Sequence, residues 1–367
     1  MRLRMAFMFA GLISLECAAL GDPPFFLNGS MVNALQSVTE STVPANGDLN
    51  PYGVAFVPAN FPSGGKISPG DLLVSNFNNN TNVQGTGTTI VKISPNGSET
   101  VFATSTLIGV DTALGVLAHG FVIVGNLPNS AGSIGQGALQ VFDRNGNVAM
   151  TLTDASLLDG PWGLTISERD TSALVFVSNV LSGTVTRLNF TFSNGGITLA
   201  SKTQIGSGYA HQPNSAALVA GPTGLAYDAD RNILYVASTA DNAIFGIGDA
   251  SDLKASAGQG FMVFADQNRL HGPLGLTFAA NGDLIAANGD AVNGGGTQNS
   301  LIEFTRQGML VATHQIDGGA AGACFGIAST TAGGTFLFAA VDDDLNAVTI
   351  WTLRSAFGGD SQSVDRQ

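Results

Sequence analysis

The chain has 367 residues, a formal net charge of −13, 44% apolar residues and 48 glycines. That apolar share supports a buried core and excludes a largely disordered chain, and the glycines keep no three-residue period, which excludes collagen. With 14 Lys and Arg against 27 Asp and Glu, the surface argues against nucleic acid and anionic lipid as partners.

At the start of the chain, Arg2 and Arg4 precede an apolar stretch over residues 5–15 and then the small residues Ala18, Ala19 and Gly21. This is the pattern of a cleavable signal peptide over residues 1–21, and it predicts a secreted or periplasmic protein. The stretch is too short to span a bilayer, and no other segment is long enough. Without it Cys324 is the only cysteine, so the expected mature protein has no internal disulfide and relies on burial and strand pairing.

From residue 50 onward one element recurs: Pro51-Tyr52-Gly53-Val54, Ala113-Leu114-Gly115-Val116, Pro161-Trp162-Gly163-Leu164, Pro222-Thr223-Gly224-Leu225, Pro273-Leu274-Gly275-Leu276 and Cys324-Phe325-Gly326-Ile327. The glycines follow one another at intervals of 62, 48, 61, 51 and 51 residues. Each copy opens a series of short β-branched and aliphatic runs separated by Asn, Asp and Gly, with Asn-Gly hairpin signals at Asn96-Gly97, Asn145-Gly146 and Asn281-Gly282. The repeat predicts an all-β, six-bladed β-propeller with four-stranded antiparallel blades over residues 22–355, followed by a polar tail at 356–367. Blades are expected to begin near residues 50, 111, 160, 221, 272 and 322. The repeated glycine fits a first strand beside the axis, where backbones converge.

The sixth unit supplies only three strands before the chain turns polar, and a missing outer strand would leave a bare edge. Residues Val32 to Val38 have the right length to fill it, so an N-terminal strand is expected to close the ring.

The pattern Pro-x-Gly-[Leu/Val]-[Ala/Thr], a turn, and a strand ending Val-Ala or Val-Ser resembles the repeat of NHL-type six-bladed propellers, over essentially the whole mature chain. The resemblance implies the fold and little about function, because that fold hosts binding modules and several enzymes. The family unit has Asp after the second strand; here Asn76, Asn126, Asn179 and Asn288 stand there, with Ser238 and Asp342 in the other two blades. Gluconolactonase-like members imply a metal-binding Glu at the first blade, and no Glu adjoins a Pro-x-Gly element here. Streptogramin-lyase-like members imply histidines, of which only His211 and His271 enter blades on the channel face.

Two chemistries follow at that face. The Asn series with Asp342 would form a ring of oxygens suited to Ca²⁺ or to sugar hydroxyls, although Asn also ends strands simply by capping turns. Trp162 and Tyr52 would offer stacking faces to a ligand, with core packing as the alternative. His211 and His271 with Asp266 form a candidate Zn²⁺ or acid–base set that lacks any ligand-spacing motif. Nothing requires a cofactor; an ion, if held, would be Ca²⁺ or Zn²⁺ in the central channel. The expectation is a monomeric binding module for a protein, glycan or small ligand, with a metal-assisted hydrolase or lyase at the same mouth as the alternative.

Overall fold

The computed structural model describes residues 36–289, 292–293 and 299–354. These residues form strands, turns and loops without a helix, and none of their segments is a helix long and apolar enough to cross a membrane. There are six four-stranded antiparallel sheets, five laid down in chain order from the inside out and the sixth in chain order for its inner three strands only. The innermost strands, Leu49–Phe56, Val110–Leu117, Pro161–Arg169, Pro222–Asp228, Pro273–Phe278 and Ile327–Ala332, touch one another in a closed circle. The protein is therefore a six-bladed propeller. The segments expected to be a signal peptide, residues 1–21, and a polar tail, residues 356–367, lie outside the described residues.

Closure runs as the missing strand required. Gln36–Ser41 pairs antiparallel with Ala347–Arg354 and becomes the outer strand of blade six, with Ser41 opposite Ala347 and Gln36 opposite Thr352. The pairing sits further along the chain than Val32 to Val38, and residues 32–35 lie outside the described residues. The outer strand is mostly exposed, so hydrophobicity does not place it. Polar pairing does, through Thr39 Oγ1 and Thr349 Oγ1 at 2.8 Å and the Thr42 amide donating to the Asn346 carbonyl at 3.0 Å.

The second blade corrects the repeat. Leu114 pairs with Val124 two positions before Asn126, just as Val54, Leu164 and Leu225 pair two positions before Asn76, Asn179 and Ser238. Ala113, not Gly115, therefore occupies the axial glycine position, and Val110 stands where other blades have proline. An extra residue is accommodated by the register shift between Val110 and Leu114. Gly115 serves a different need, since a β-carbon there would collide with the Leu164 and Ile166 side chains of blade three.

Elsewhere the glycine argument holds through backbone carbonyls. A β-carbon on Gly163, Gly224, Gly275 or Gly326 would strike the carbonyl oxygen of Thr223, Leu274, Phe325 or Tyr52, in each case the residue before the next blade's glycine. Two serines stitch the same seams. Ser75 Oγ accepts from the Gly53 amide and donates to the Asp111 carbonyl at 2.6 Å, and Ser178 Oγ bridges Gly163 and Thr223 in the same way.

The residue after each axial glycine position lines the channel: Val54, Leu114, Leu164, Leu225, Leu276 and Ile327 form an aliphatic ring, one from each blade. The axis is therefore apolar at mid-height, and polar chemistry is confined to the mouths.

Candidate functional site at the channel mouth

The asparagine series has a structural task. At the end of the second strand, Asn76, Asn126, Asn179 and Asn288 turn their amides toward the segment entering their own blade. Their Nδ2 groups donate to the carbonyls of Thr42 (2.8 Å), Ile108 (2.8 Å), Leu157 (3.2 Å) and Arg269 (2.7 Å). Asn288 Oδ1 also accepts from the His271 amide, and Asn126 Oδ1 from the Ala138 amide. All four are buried, none takes a left-handed backbone conformation, and none lines the mouth. In blade six Asp342 is likewise buried and accepts from the Leu345 amide.

The next residue in each blade points to the axis, because side chains alternate along a strand. These residues are Phe77, Leu127, Val180, Thr239, Gly289 and Asp343. Their equivalence is fixed by a repeated bond. The amides of Leu127, Val180, Thr239, Gly289 and Asp343 donate to the carbonyls of Gly109, Gly160, Gly221, Gly272 and Ala323, at 2.8–3.0 Å. Blades one to three thus present large apolar groups and blades four to six present a hydroxyl, a hydrogen and a carboxyl.

That asymmetry shapes the site. Phe77, Leu127 and Val180 pack with Tyr52, Trp162 and Val219 into one buried cluster. Tyr52 meets Trp162 edge-on at 5.5 Å and Phe325 at 4.3 Å between ring centroids, and Phe77 meets Trp162 at 5.4 Å. Two small hairpins absent from the sequence reading, Asn129–Ser130 with Ser133–Ile134 and Gln212–Asn214 with Leu218–Ala220, lie over this half. They are tied to the blade-one loop, where Gln84 Nε2 donates to the Ala216 carbonyl and Asn129 Nδ2 to the Gln84 carbonyl.

The other half stays open as a cavity of about 420 Å³, floored by Tyr52, Leu274 and Phe325 and edged by Asn50, Thr239 and Asp343. This size lies in the usual range for small-molecule sites, about 300–1,000 Å³. Of the seven candidate ligand-binding residues, only Tyr52 lines it. Trp162 is buried behind Tyr52 as part of the packing.

Two polar groups define the cavity's chemistry. Asn50 has a left-handed backbone (φ 60°), pinned by its amide donating to Asn346 Oδ1 at 2.8 Å. It is 2% exposed, and its Oδ1 is buried without a partner. Burial, then the charges of Asp344 and Asp342, pushes the Asp343 carboxyl up to about 7. Burial, then the charges of Asp343 and Asp111, holds the Tyr52 phenol well above its ordinary value. Of the three successive aspartates at 342–344 the sequence singles out Asp342 at the strand end; alternation carried one residue past that end reaches Asp343.

The histidine set does not assemble. His211 is exposed beside blade three, where its Nδ1 lies 3.0 Å from the Tyr209 carbonyl. His271 is buried at the entry to blade five, with Nδ1 3.0 Å from the Asn293 carbonyl and Nε2 without a partner. Asp266 pairs with Arg269 at 3.1 Å. Among the described residues no group of three His, Cys, Asp or Glu is placed to hold a metal ion. With an aliphatic ring on the axis and a single carboxylate among the described residues that line the mouth, these residues do not fit a channel Ca²⁺ or Zn²⁺ site.

No protein-family model and no curated protein sequence matches the chain. Solved structures do match in fold. A gluconolactonase from Xanthomonas campestris superposes with a TM-score of 0.55 at 15% identity, over 90% of this chain and 94% of that one. The GH93 α-L-arabinofuranosidase of Fusarium graminearum gives 0.52 at 12% identity over 87% and 97%. A calcium-binding protein, regucalcin, from Agrobacterium tumefaciens gives 0.50 at 12% over 86% and 95%. At these identities the likeness establishes the propeller and nothing about chemistry.

Proposed function

We propose that this propeller is an exported binding protein for a small molecule, held in the channel-mouth cavity between blades four, five, six and one. One observation carries the reading. The mouth is sealed over blades one to three by packed aromatic and aliphatic groups, and it opens over blades four to six onto a floor of Tyr52, Leu274 and Phe325 with polar groups at its edge. An apolar floor with a few convergent polar groups is the usual make-up of a small-ligand site. Binding is favoured over metal-assisted hydrolysis or elimination because the described residues bring no ligand set together at this mouth.

Ala217 lines the cavity from the overlying hairpin. A panel of small amines, polyols and carboxylic acids should contain members that raise the thermal midpoint of the full chain. Ala217→Trp should abolish those shifts while leaving the unliganded midpoint within a few degrees. If no panel member binds, or if ligands bind Ala217→Trp as well as the parent, the cavity is not the site. Export is checked separately by sequencing the N-terminus of protein recovered outside the cytoplasm.

A further inference from the structure

We propose that the ligand of this cavity is a small organic cation, an ammonium group on an apolar body. The inference rests on the reading of the cavity as a ligand site and specifies the class of molecule.

Charge comes first. Among the described residues no Lys, Arg or His lines the cavity, and Asp343 is the one carboxylate that does. Asp342 and Asp344 flank it in the chain and add to the negative potential at the rim. A carboxylate or phosphate ligand would enter against that field with no cation to meet it, whereas an ammonium enters with it.

The remaining groups match an ammonium's hydrogen bonding. It carries donors and no acceptor. Asn50 supplies an amide with no side-chain partner, nine-tenths or more buried, whose oxygen and nitrogen exchange places by rotation about χ2. The Thr239 hydroxyl is already committed as a donor to the Pro273 carbonyl at 2.7 Å. The cavity thus offers acceptors at Asn50 and Asp343, the latter a carboxylate that an ammonium meets as a charge-assisted donor and a polyol only as a neutral one.

The floor completes the match. Tyr52 and Phe325 present two rings with centroids 4.3 Å apart, tilted by 32°, and aromatic faces attract cations within about 6 Å of the ring. Leu274, Val219 and Val292 supply apolar surface for the body of the ligand. A bound cation also neutralises a carboxyl that burial, with the charges of Asp344 and Asp342, otherwise holds partly protonated at neutral pH, so binding and proton release are linked.

The test is calorimetric titration of the full chain with cyclohexylmethylammonium, cyclohexylmethanol and cyclohexanecarboxylate, which share one apolar ring. The amine should bind about tenfold or more tightly than the alcohol, with no binding of the acid. Its affinity should weaken severalfold from about pH 8 to about pH 6 as Asp343 takes up its proton, and protons should be released on binding near neutrality. Asp343→Asn should collapse the amine-to-alcohol preference and abolish the pH dependence. Should that variant not fold, proton release by the parent decides. Equal binding of amine and alcohol, or amine binding without pH dependence, overturns the inference and leaves the small-ligand reading standing. If none of the three binds but an anionic or polyol panel member does, the class is wrong; if nothing binds, both readings fail.

Discussion

The α-carbon of Gly326 sits against the carbonyl oxygen of Tyr52, so the last blade meets the first through bare backbone. The same relation joins Gly275 to Phe325 and Gly224 to Leu274. Inner strands this close cannot admit a methyl group without pushing neighbouring blades apart. Gly326→Ala should therefore destabilise the protein by about 1–3 kcal/mol or more, the usual cost of overpacking. Gly248→Ala is the control, because its β-carbon would meet open space and its φ is ordinary; it should change stability by less than about 0.5 kcal/mol. Denaturant unfolding of both variants checks this.

Asp111 is the cost of the second blade's altered phase. It occupies space left by Gly125, its Oδ1 accepts from the Ala113 amide, and its Oδ2 is fully buried without a partner. Burial holds its carboxyl well above the ordinary value, against the opposing pull of the backbone hydrogen bonds. A carboxyl raised in the folded state contributes full stability below its unfolded value, near 3.9, and loses it as pH rises toward the folded value. Asp111→Asn should be more stable than the parent at pH 7 by about 1–3 kcal/mol, with the difference closing toward pH 4. Thermal midpoints across that range decide it.

On the opposite face His119 clamps blade two to blade three. Its Nδ1 contacts Glu168, its Nε2 lies 2.8 Å from the Asp170 carbonyl, and its ring stacks on Phe192 at 3.9 Å. Both ring nitrogens face acceptors, so only the imidazolium satisfies both. Burial lowers its pKa, but the Glu168 hydrogen bond, the Asp170 carbonyl and the two nearby carboxylates outweigh that and hold it above the ordinary value. Stability from this clamp is thus complete below about pH 6.5 and is lost as pH rises through the folded value. The pair is partly exposed, so the effect should be about 0.5–1 kcal/mol. His119→Gln should flatten the stability profile between about pH 6 and pH 8, and the imidazole titration is readable by NMR.

Asn288 tests the division between structure and site. It donates to the Arg269 carbonyl and to Ser300 Oγ at 3.0 Å, and accepts from the His271 amide. Asn288→Ala leaves buried backbone groups unpaired and should cost about 1–3 kcal/mol per group. Ligand affinity at the cavity, measured below the variant's unfolding range, should stay within about twofold of the parent. A large loss of affinity with intact stability would return the asparagines to the binding machinery.

Much of this was legible from residues alone. Strand and turn chemistry is local, so short apolar runs such as Leu234 to Ala237 and the Asn-Gly turns mark blades without reference to anything distant. The three-strand sixth unit implied its closure, because an unpaired edge is unfavourable wherever it lies in the chain. Blade two misled because Gly115 imitates the repeat by composition, while the register places Ala113 on the axis.

What the sequence determined was the number of blades, their order and the need for a closing strand, since each depends on neighbours in the chain. Only the tertiary structure decided where the cavity lies. Its walls come from Asn50, Thr239, Leu274, Phe325 and Asp343, residues that share a site because six inner strands converge on one axis. The step from Asp342 to Asp343 shows the physical reason. One residue along a strand turns a side chain from the gap beside its own blade to the channel mouth, and which of the two matters is set by what the other five blades place opposite.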